Sequence, residues 1–403
     1  MLTGMHPLPR PQTWPLAVSR RSAAWLAAPL SLILLAAPAP APAPVAAGET
    51  ATARPLATRH LILVTLDGVR TQEIFGGLDE VIGAHDEQRL YSEMPQMRER
   101  YGGATPEARR AALMPNFWNV LAPAGVVLGN AAHGNHVKVQ NRMLWSSPGY
   151  TEMLTGGPRP EVTDNASGRA PHPTALEHAR AALGLGFAEV AVIGSWDGFP
   201  LAAASRDDAF LMLGAHDGLP AAYSAPELER LAELRREVMG LWAEGSNDRL
   251  TFEIARRFVA RQQPRMLWLA LVNSDDWAHA GRYDRYLEYL HRADAMLGEL
   301  WRLLQSDPAY RGGTTLLVTT DHGRGLTGAD WAEHELAIPG SDAIWLLIAG
   351  PDTADIGEVT RSGTAWQGQV AATLLQYLGL DARDMDSEAL PPVTVGFEPA
   401  GGN

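Results

Sequence analysis

No cysteine occurs among the 403 residues, so disulfides and thiolate metal ligands are both excluded. Any metal must be held by His, Asp or Glu, a donor set that suits zinc, manganese or magnesium. Positive charge is also scarce. Residues 1–47 hold three of the 33 basic residues and none of the 46 acidic ones, which leaves 30 against 46 and a net charge of −16 for the rest. Such a surface repels polyphosphate backbones at long range, which argues against dedicated nucleic-acid binding. A small anionic substrate stays compatible, because bound cations dominate a local field. There is no internal repeat, and the early apolar run falls short of the ~20 residues that a spanning helix needs.

That run, residues 23–35, follows Arg20-Arg21 and is interrupted by Pro29. Its length is that of a signal-peptide core. An Ala/Pro-rich segment comes next, and Val45 and Ala47 at −3 and −1 permit cleavage after Ala47. The expectation is therefore a signal peptide and Ala/Pro-rich segment over 1–47 and a linker over 48–59. The mature chain is then exported, periplasmic or extracellular, with no membrane span. Ser19-Arg20-Arg21 is an imperfect twin-arginine pattern. With 46% hydrophobic and 20% charged residues, the chain has an ordinary globular composition.

β-branched, apolar runs predict strands at 60–66, 125–128, 189–193, 266–272, 314–319 and 343–348. Helical patterns lie at 107–121 (bent near Pro115), 150–154, 174–183, 228–242, 248–262, 283–304 and 367–378. The alternation predicts an α/β domain over 60–381, with a mainly parallel central sheet flanked by helices on both faces. Residues 195–245 break the alternation and read as a small cap or insert. Residues 382–403 are Pro/Gly-rich and read as a loosely ordered tail. Open sheets of this class take ligands beyond the carboxyl ends of their strands.

Three segments fall at those ends: Asp67-Gly68, Asp275-Asp276-Trp277-Ala278-His279 and Asp321-His322-Gly323. Singly each has a bland reading: a turn aspartate, a capping aspartate with a surface histidine, a strand-end pair. Asp275 and His279 stand four apart, which puts both on one face of a helical turn; Asp276 competes but breaks that spacing. His334 is the only histidine after His322, so a further C-terminal imidazole must be this one. Together these residues suffice for two divalent ions. Ser146-Ser147 precedes Pro148, which is well placed in a helix's first turn. Two metals and an activated hydroxyl point to hydrolysis of a phosphate or sulfate ester.

The order Leu66-Asp67-Gly68, Ser146-Ser147-Pro148-Gly149-Tyr150-Thr151 leading to Leu154-Thr155-Gly156, Asp275-x-x-x-His279, Asp321-His322-Gly323 and His334 resembles the alkaline phosphatase superfamily. Within it the chain looks most like the nucleotide pyrophosphatase/phosphodiesterase branch. The resemblance implies one metal on Asp275, His279 and His334, and a second on Asp67, Asp321, His322 and the Ser146 oxygen. It implies Ser146 as nucleophile through a phosphoserine, Asn165 as a donor to a phosphoryl oxygen, zinc as the first choice of ion, and a small anionic phosphate ester, diester or nucleotide-type, as substrate. The sulfatases' arginine position is occupied by Tyr150, so a formylglycine site is not specified. A phosphomonoesterase or sulfatase remains the alternative, and a non-catalytic metal- or glycan-binding relative the alternative of another class. Lys138 and Arg142 are candidate cations for a monoester, His133 and His136 read as structural, and Trp196, Trp277 and Tyr150 are aromatics that could stack on a leaving group.

Overall fold

The computed structural model describes residues 55–386 and 388–399. The expected signal peptide over 1–47 lies outside them. Eleven strands form among the described residues: β1 His60–Leu66, β2 Gly125–Leu128, β3 Asn135–Lys138, β4 Val190–Gly194, β5 Leu211–Leu213, β6 Met266–Leu271, β7 Thr314–Thr319, β8 Ala343–Ile344, β9 Leu346–Ala349, β10 Gly357–Glu358 and β11 Gly363–Trp366. Eight make one sheet in the order β10-β2-β9-β7-β1-β6-β4-β5. Only β9 runs against its neighbours, β2 and β7. A small sheet, β11-β3-β8, sits apart.

Because β1 is buried on both faces, its side chains alternate between two cores. Ile62, Val64 and Leu66 enter one, with apolar residues of the helices Asp248–Gln262 and Tyr283–Ser306. Leu61 and Leu63 enter the other, with residues of Ser146–Thr155, Ala175–Ala182 and Gln369–Tyr377. The mainly parallel sheet with helices on both faces is thus present. Among the described residues no helix is long and apolar enough to cross a membrane.

Four expectations are corrected. The helix read over 107–121 stops at Leu113, after which Asp294 takes the backbone N–H groups of Asn116 and Phe117 and a wider turn follows. The strand read over 343–348 splits at buried Trp345, so Ala343–Ile344 joins the small sheet and Leu346–Ala349 the large one. The helix read over 228–242 ends at Glu237, leaving Val238, Met239, Leu241 and Trp242 exposed. The tail is docked as far as it is described: Val393 is buried, Leu390 N–H donates to the Gly156 carbonyl, and Glu398 N–H to that of Asp352. Of the expected cap, residues 211–213 extend the main sheet and Pro226–Glu237 packs on the helix Asp248–Gln262.

Candidate metal centre and cleft

Strands β7, β1 and β6 are adjacent and parallel, so their carboxyl ends bring the three aspartate segments together. Cross-ties fix the ends. Gly68 N–H donates to Asp321 Oδ1 at 3.0 Å, Val69 N–H to Thr320 Oγ1 at 3.0 Å, and Ser274 Oγ to the Asp67 carbonyl at 2.7 Å.

Asp67, Asp321 and His322 are fully buried. Each has one atom tied to the fold and one left over. Asp67 Oδ2 accepts from the Tyr150 hydroxyl at 3.0 Å, and Asp321 Oδ1 from Gly68. His322 Nδ1 lies 3.0 Å from the Gly323 carbonyl, which can only accept, so the proton sits there and Nε2 carries a lone pair. The leftover atoms, Asp67 Oδ1, Asp321 Oδ2 and His322 Nε2, are buried without a hydrogen-bond partner. They converge: His322 Nε2 is 3.5 Å from Asp67 Oδ1 and 3.4 Å from Asp321 Oδ2. Unpartnered buried acceptors are costly, and a shared divalent cation satisfies all three at once. Burial first, and then the Asp321 charge, hold the Asp67 carboxyl well above the usual carboxylate range without such a cation.

A second group adjoins the first. Asp275 and His279 share the short helix Asn273–His279, and His279 Nε2 is 3.4 Å from Asp275 Oδ2. His334 donates Nδ1–H to the Leu144 carbonyl at 2.7 Å, which leaves its Nε2 lone pair 3.1 Å from His279 Nε2 and 4.0 Å from Asp275 Oδ1. Its ring stacks on His322 at 3.8 Å. Burial and then the neighbouring His322 push both His279 and His334 below the ordinary imidazole range, so both are neutral donors near pH 7. Asp275, His322 and His334 are close enough to share an ion, as are Asp67, Asp321 and His322. His322 therefore lies at the junction of two candidate sites. Asp276, the competitor to Asp275, is turned to Asn273, and burial and then Asp248 push it up to about 7.

The helix Ser146–Thr155 is packed against this centre. Gly149 permits it: a Cβ there would stand 2.7 Å from the Asp321 carbonyl oxygen. The next residue, Tyr150, holds Asp67, and its ring is buried on Phe199 and Trp268, so it is no stacking platform. The helix begins without a side-chain cap. Ser146 opens into a cleft of about 410 Å³, lined also by Asn165, Ala166, Trp196, Trp242, Glu244, Gly245, Val272, Asp275, Asp276 and His279. Asn165 Oδ1 accepts from Ser147 N–H at 2.9 Å, which aims its amide NH₂ away from that bond.

Every sequence-derived site residue is thus at the carboxyl end of the sheet. Several other candidates lie outside the cleft. Lys138 pairs with Asp342, His133 approaches Glu358, and Trp277 lines a separate cavity. Arg142 and His136 do not line the cleft.

Sequence reasoning missed Arg324. Its guanidinium is fully buried and pushed down to about 10 by that burial. It donates to the Gly68 carbonyl at 3.0 Å, to the Ala332 carbonyl at 2.6 Å, and contacts Asp275 Oδ1 directly. Its place two residues after His322 was the available signal. Trp242 was missed because the helix was drawn through it, and Glu244 because it follows in the expected cap with no marker of its own.

The sequence model of the Metalloenzyme superfamily matches residues 240–382, which include Asp275, His279, Asp321, His322 and His334. No curated protein sequence matches the chain. Solved structures similar to it include the lipoteichoic acid synthase LtaP from Listeria monocytogenes, with 12% identity, TM-score 0.49, and 81% of this chain and 73% of that one covered. A phosphonate monoester hydrolase from Silicibacter pomeroyi has 12% identity and TM-score 0.48 over 86% and 78%. A putative sulfatase from Bacteroides thetaiotaomicron has 12% identity and TM-score 0.49 over 83% and 75%. The family match is confined to residues 240–382, so it is over this stretch, with Asp275, His279, Asp321, His322 and His334 but without Asp67 and Ser146, that the chain is similar to the Metalloenzyme superfamily.

Proposed function

We propose that this chain is an exported two-metal hydrolase of phosphate esters, acting on diesters in preference to monoesters through a phosphoserine on Ser146. The observation that carries the reading is the convergence of Asp67 Oδ1, Asp321 Oδ2 and His322 Nε2, buried and unpartnered, on the side of the sheet where Ser146 opens a cleft.

Asp67, Asp321 and His322 would hold one divalent ion, zinc by preference, and Asp275, His279 and His334 the other; bound there, the ions supply Lewis-acid charge to the reacting phosphoryl group. The chain's own residues do the rest. Ser146 sits at the amino end of a helix, where the dipole favours an anion and eases loss of the hydroxyl proton. Its oxygen attacks phosphorus, the bond to the leaving alkoxide breaks, and the departing alcohol takes up a proton. Asn165, held by Ser147, donates its amide to a phosphoryl oxygen. Water then cleaves the phosphoserine and frees Ser146.

Diesters are favoured because no lysine or arginine lines the cleft, so the second charge of a monoester has no side chain to meet it. Export rests on the sequence of residues 1–47. Metal-replete protein should turn over a nitrophenyl phosphodiester faster than nitrophenyl phosphate and nitrophenyl sulfate, and Ser146→Ala should abolish that turnover. Faster sulfate cleavage would make it a sulfatase. Equal behaviour of wild type and Ser146→Ala toward all three would remove Ser146 from the chemistry.

A further inference from the structure

Two loops contribute to the lining of the cleft beside Asp275 and His279. One follows β4 and supplies Trp196; the other precedes the helix Asp248–Gln262 and supplies Trp242 and Glu244. They are stitched together by backbone. Trp196 bridges Gly245, Asp197 N–H donates to the Glu244 carbonyl at 3.0 Å, and Ser246 N–H to the Ser195 carbonyl at 2.7 Å. The Trp196 ring is seated against Gly198, where no side chain can intrude, and meets Phe199 edge-on at 5.4 Å. Trp242 is 52% exposed, an unusual amount of indole to leave in water beside a cleft. Glu244 is exposed and has no ion-pair partner among the described residues.

This chemistry selects a ligand. Two indoles attract either a flat aromatic group or a cation over the ring face. The acidic groups decide between them. Glu244 is exposed at the cleft and Asp276 lies in its wall, while among the described residues no lysine or arginine lines it. An anionic arm, such as the further phosphates of a nucleotide polyphosphate, would meet Glu244 with nothing to offset the repulsion. A positively charged arm would meet two ring faces and a free carboxylate.

We propose, building on the phosphodiesterase reading, that Trp196, Trp242 and Glu244 form a subsite for a cationic alcohol, so that one ester arm of the substrate ends in a quaternary or primary ammonium group. The phosphoryl group lies at Ser146 and the ammonium group at the two indoles. Specificity then comes from a neutral pairing of arm and wall, and the phosphate itself is left to the metal side.

The test compares three nitrophenyl phosphodiesters on metal-replete protein. They carry a choline arm, the uncharged 3,3-dimethylbutyl arm of the same shape, and a thymidine arm. The choline ester should exceed the dimethylbutyl ester in kcat/KM by about tenfold, mostly through KM, as one desolvated cation–aromatic contact implies. Trp242→Ala and Glu244→Gln should each bring that ratio to within about threefold of one. Equal rates for the choline and dimethylbutyl arms, or a faster thymidine ester, overturn the subsite while leaving the phosphodiesterase reading standing. If no phosphate ester is cleaved, that reading has failed, and choline itself decides the subsite. Saturable quenching of tryptophan fluorescence by choline, weakened about tenfold in Glu244→Gln, sustains it; no quenching, or quenching unchanged in Glu244→Gln, ends it.

Discussion

The two ligand trios are built differently. Asp67, Asp321 and His322 are sealed in the protein, and each is fixed by a hydrogen bond through one atom while presenting the other. Asp275, His279 and His334 sit closer to solvent: Asp275 and His279 line the cleft, and one Asp275 oxygen is already engaged by Arg324. The sealed trio is organised before any ion arrives, and ordering it on binding costs little. The open trio shares its carboxylate with a resident cation and faces the substrate. The sealed ion should therefore be the tighter and the open one the more exchangeable.

The harshest way to break this comparison is Asp321→Asn. It removes a charge from the sealed trio and should cost more than about 10³-fold in turnover together with bound metal. Unchanged metal content by elemental analysis, with unchanged rate, would refute the ligand assignment. Asn165→Ala should keep both ions and lower turnover by about 10²–10³, the worth of one donor to a developing oxyanion. A loss under about threefold would take Asn165 out of the site.

Arg324→Gln sharpens the contrast between the trios. Removing the guanidinium takes away the contact that orients the Asp275 carboxylate and unties Gly68 and Ala332, so affinity for the open ion should fall about 10–100-fold, as loss of supporting contacts does, while the sealed ion stays. Calorimetric titration with zinc should show two classes of site move apart. Two sites of unaltered affinity would show that Arg324 only fills space.

The smallest effect is on pH dependence. Glu73, pushed up to about 7 by burial, and Asp276, also at about 7 by burial, bind protons more tightly folded than unfolded. Their contribution to stability is present at low pH and lost as pH rises through 7. Metal-free protein should thus melt about 1–3 °C higher at pH 6.5 than at pH 8. Below 6.5 the lowered His279 and His334 oppose the trend, because the unfolded chain takes up their protons. Metal-loaded protein should run the other way, since the ligands bind ions only when deprotonated. A flat melting profile for the metal-free form would count against the burial argument.

Much of this was legible in the chain because strand ends are marked by abrupt change. The runs before Asp67, Asp275 and Asp321 are buried on both faces, and an acidic residue straight after such a run has to lie at the sheet's edge. Helix starts with chemical markers were likewise readable, Ser146 before Pro148 above all. What was lost depended on tertiary partners. The apolar pattern runs on past Glu237 through Val238, Met239, Leu241 and Trp242, so Trp242 was drawn into the helix and Glu244 was left just beyond it. Arg324 looked like any surface arginine, since only the fold brings the Gly68 and Ala332 carbonyls to its guanidinium. The β3–β11 pairing joins residues over 200 positions apart and short enough to carry no pattern.

The bare α-carbon at Gly149 has an evolutionary consequence. By letting a helix touch the Asp321 main chain, it makes Ser146, the nucleophile proposed above, and the sealed trio one mechanical part, drawn from stretches of chain about 170 residues apart. Neither stretch can drift without the other. The loops bearing Trp196 and Trp242 are held through their backbone, to each other and, at Ser195 and Ser246, to Ala270 and Asn273, so the two indoles themselves can be exchanged without disturbing that frame.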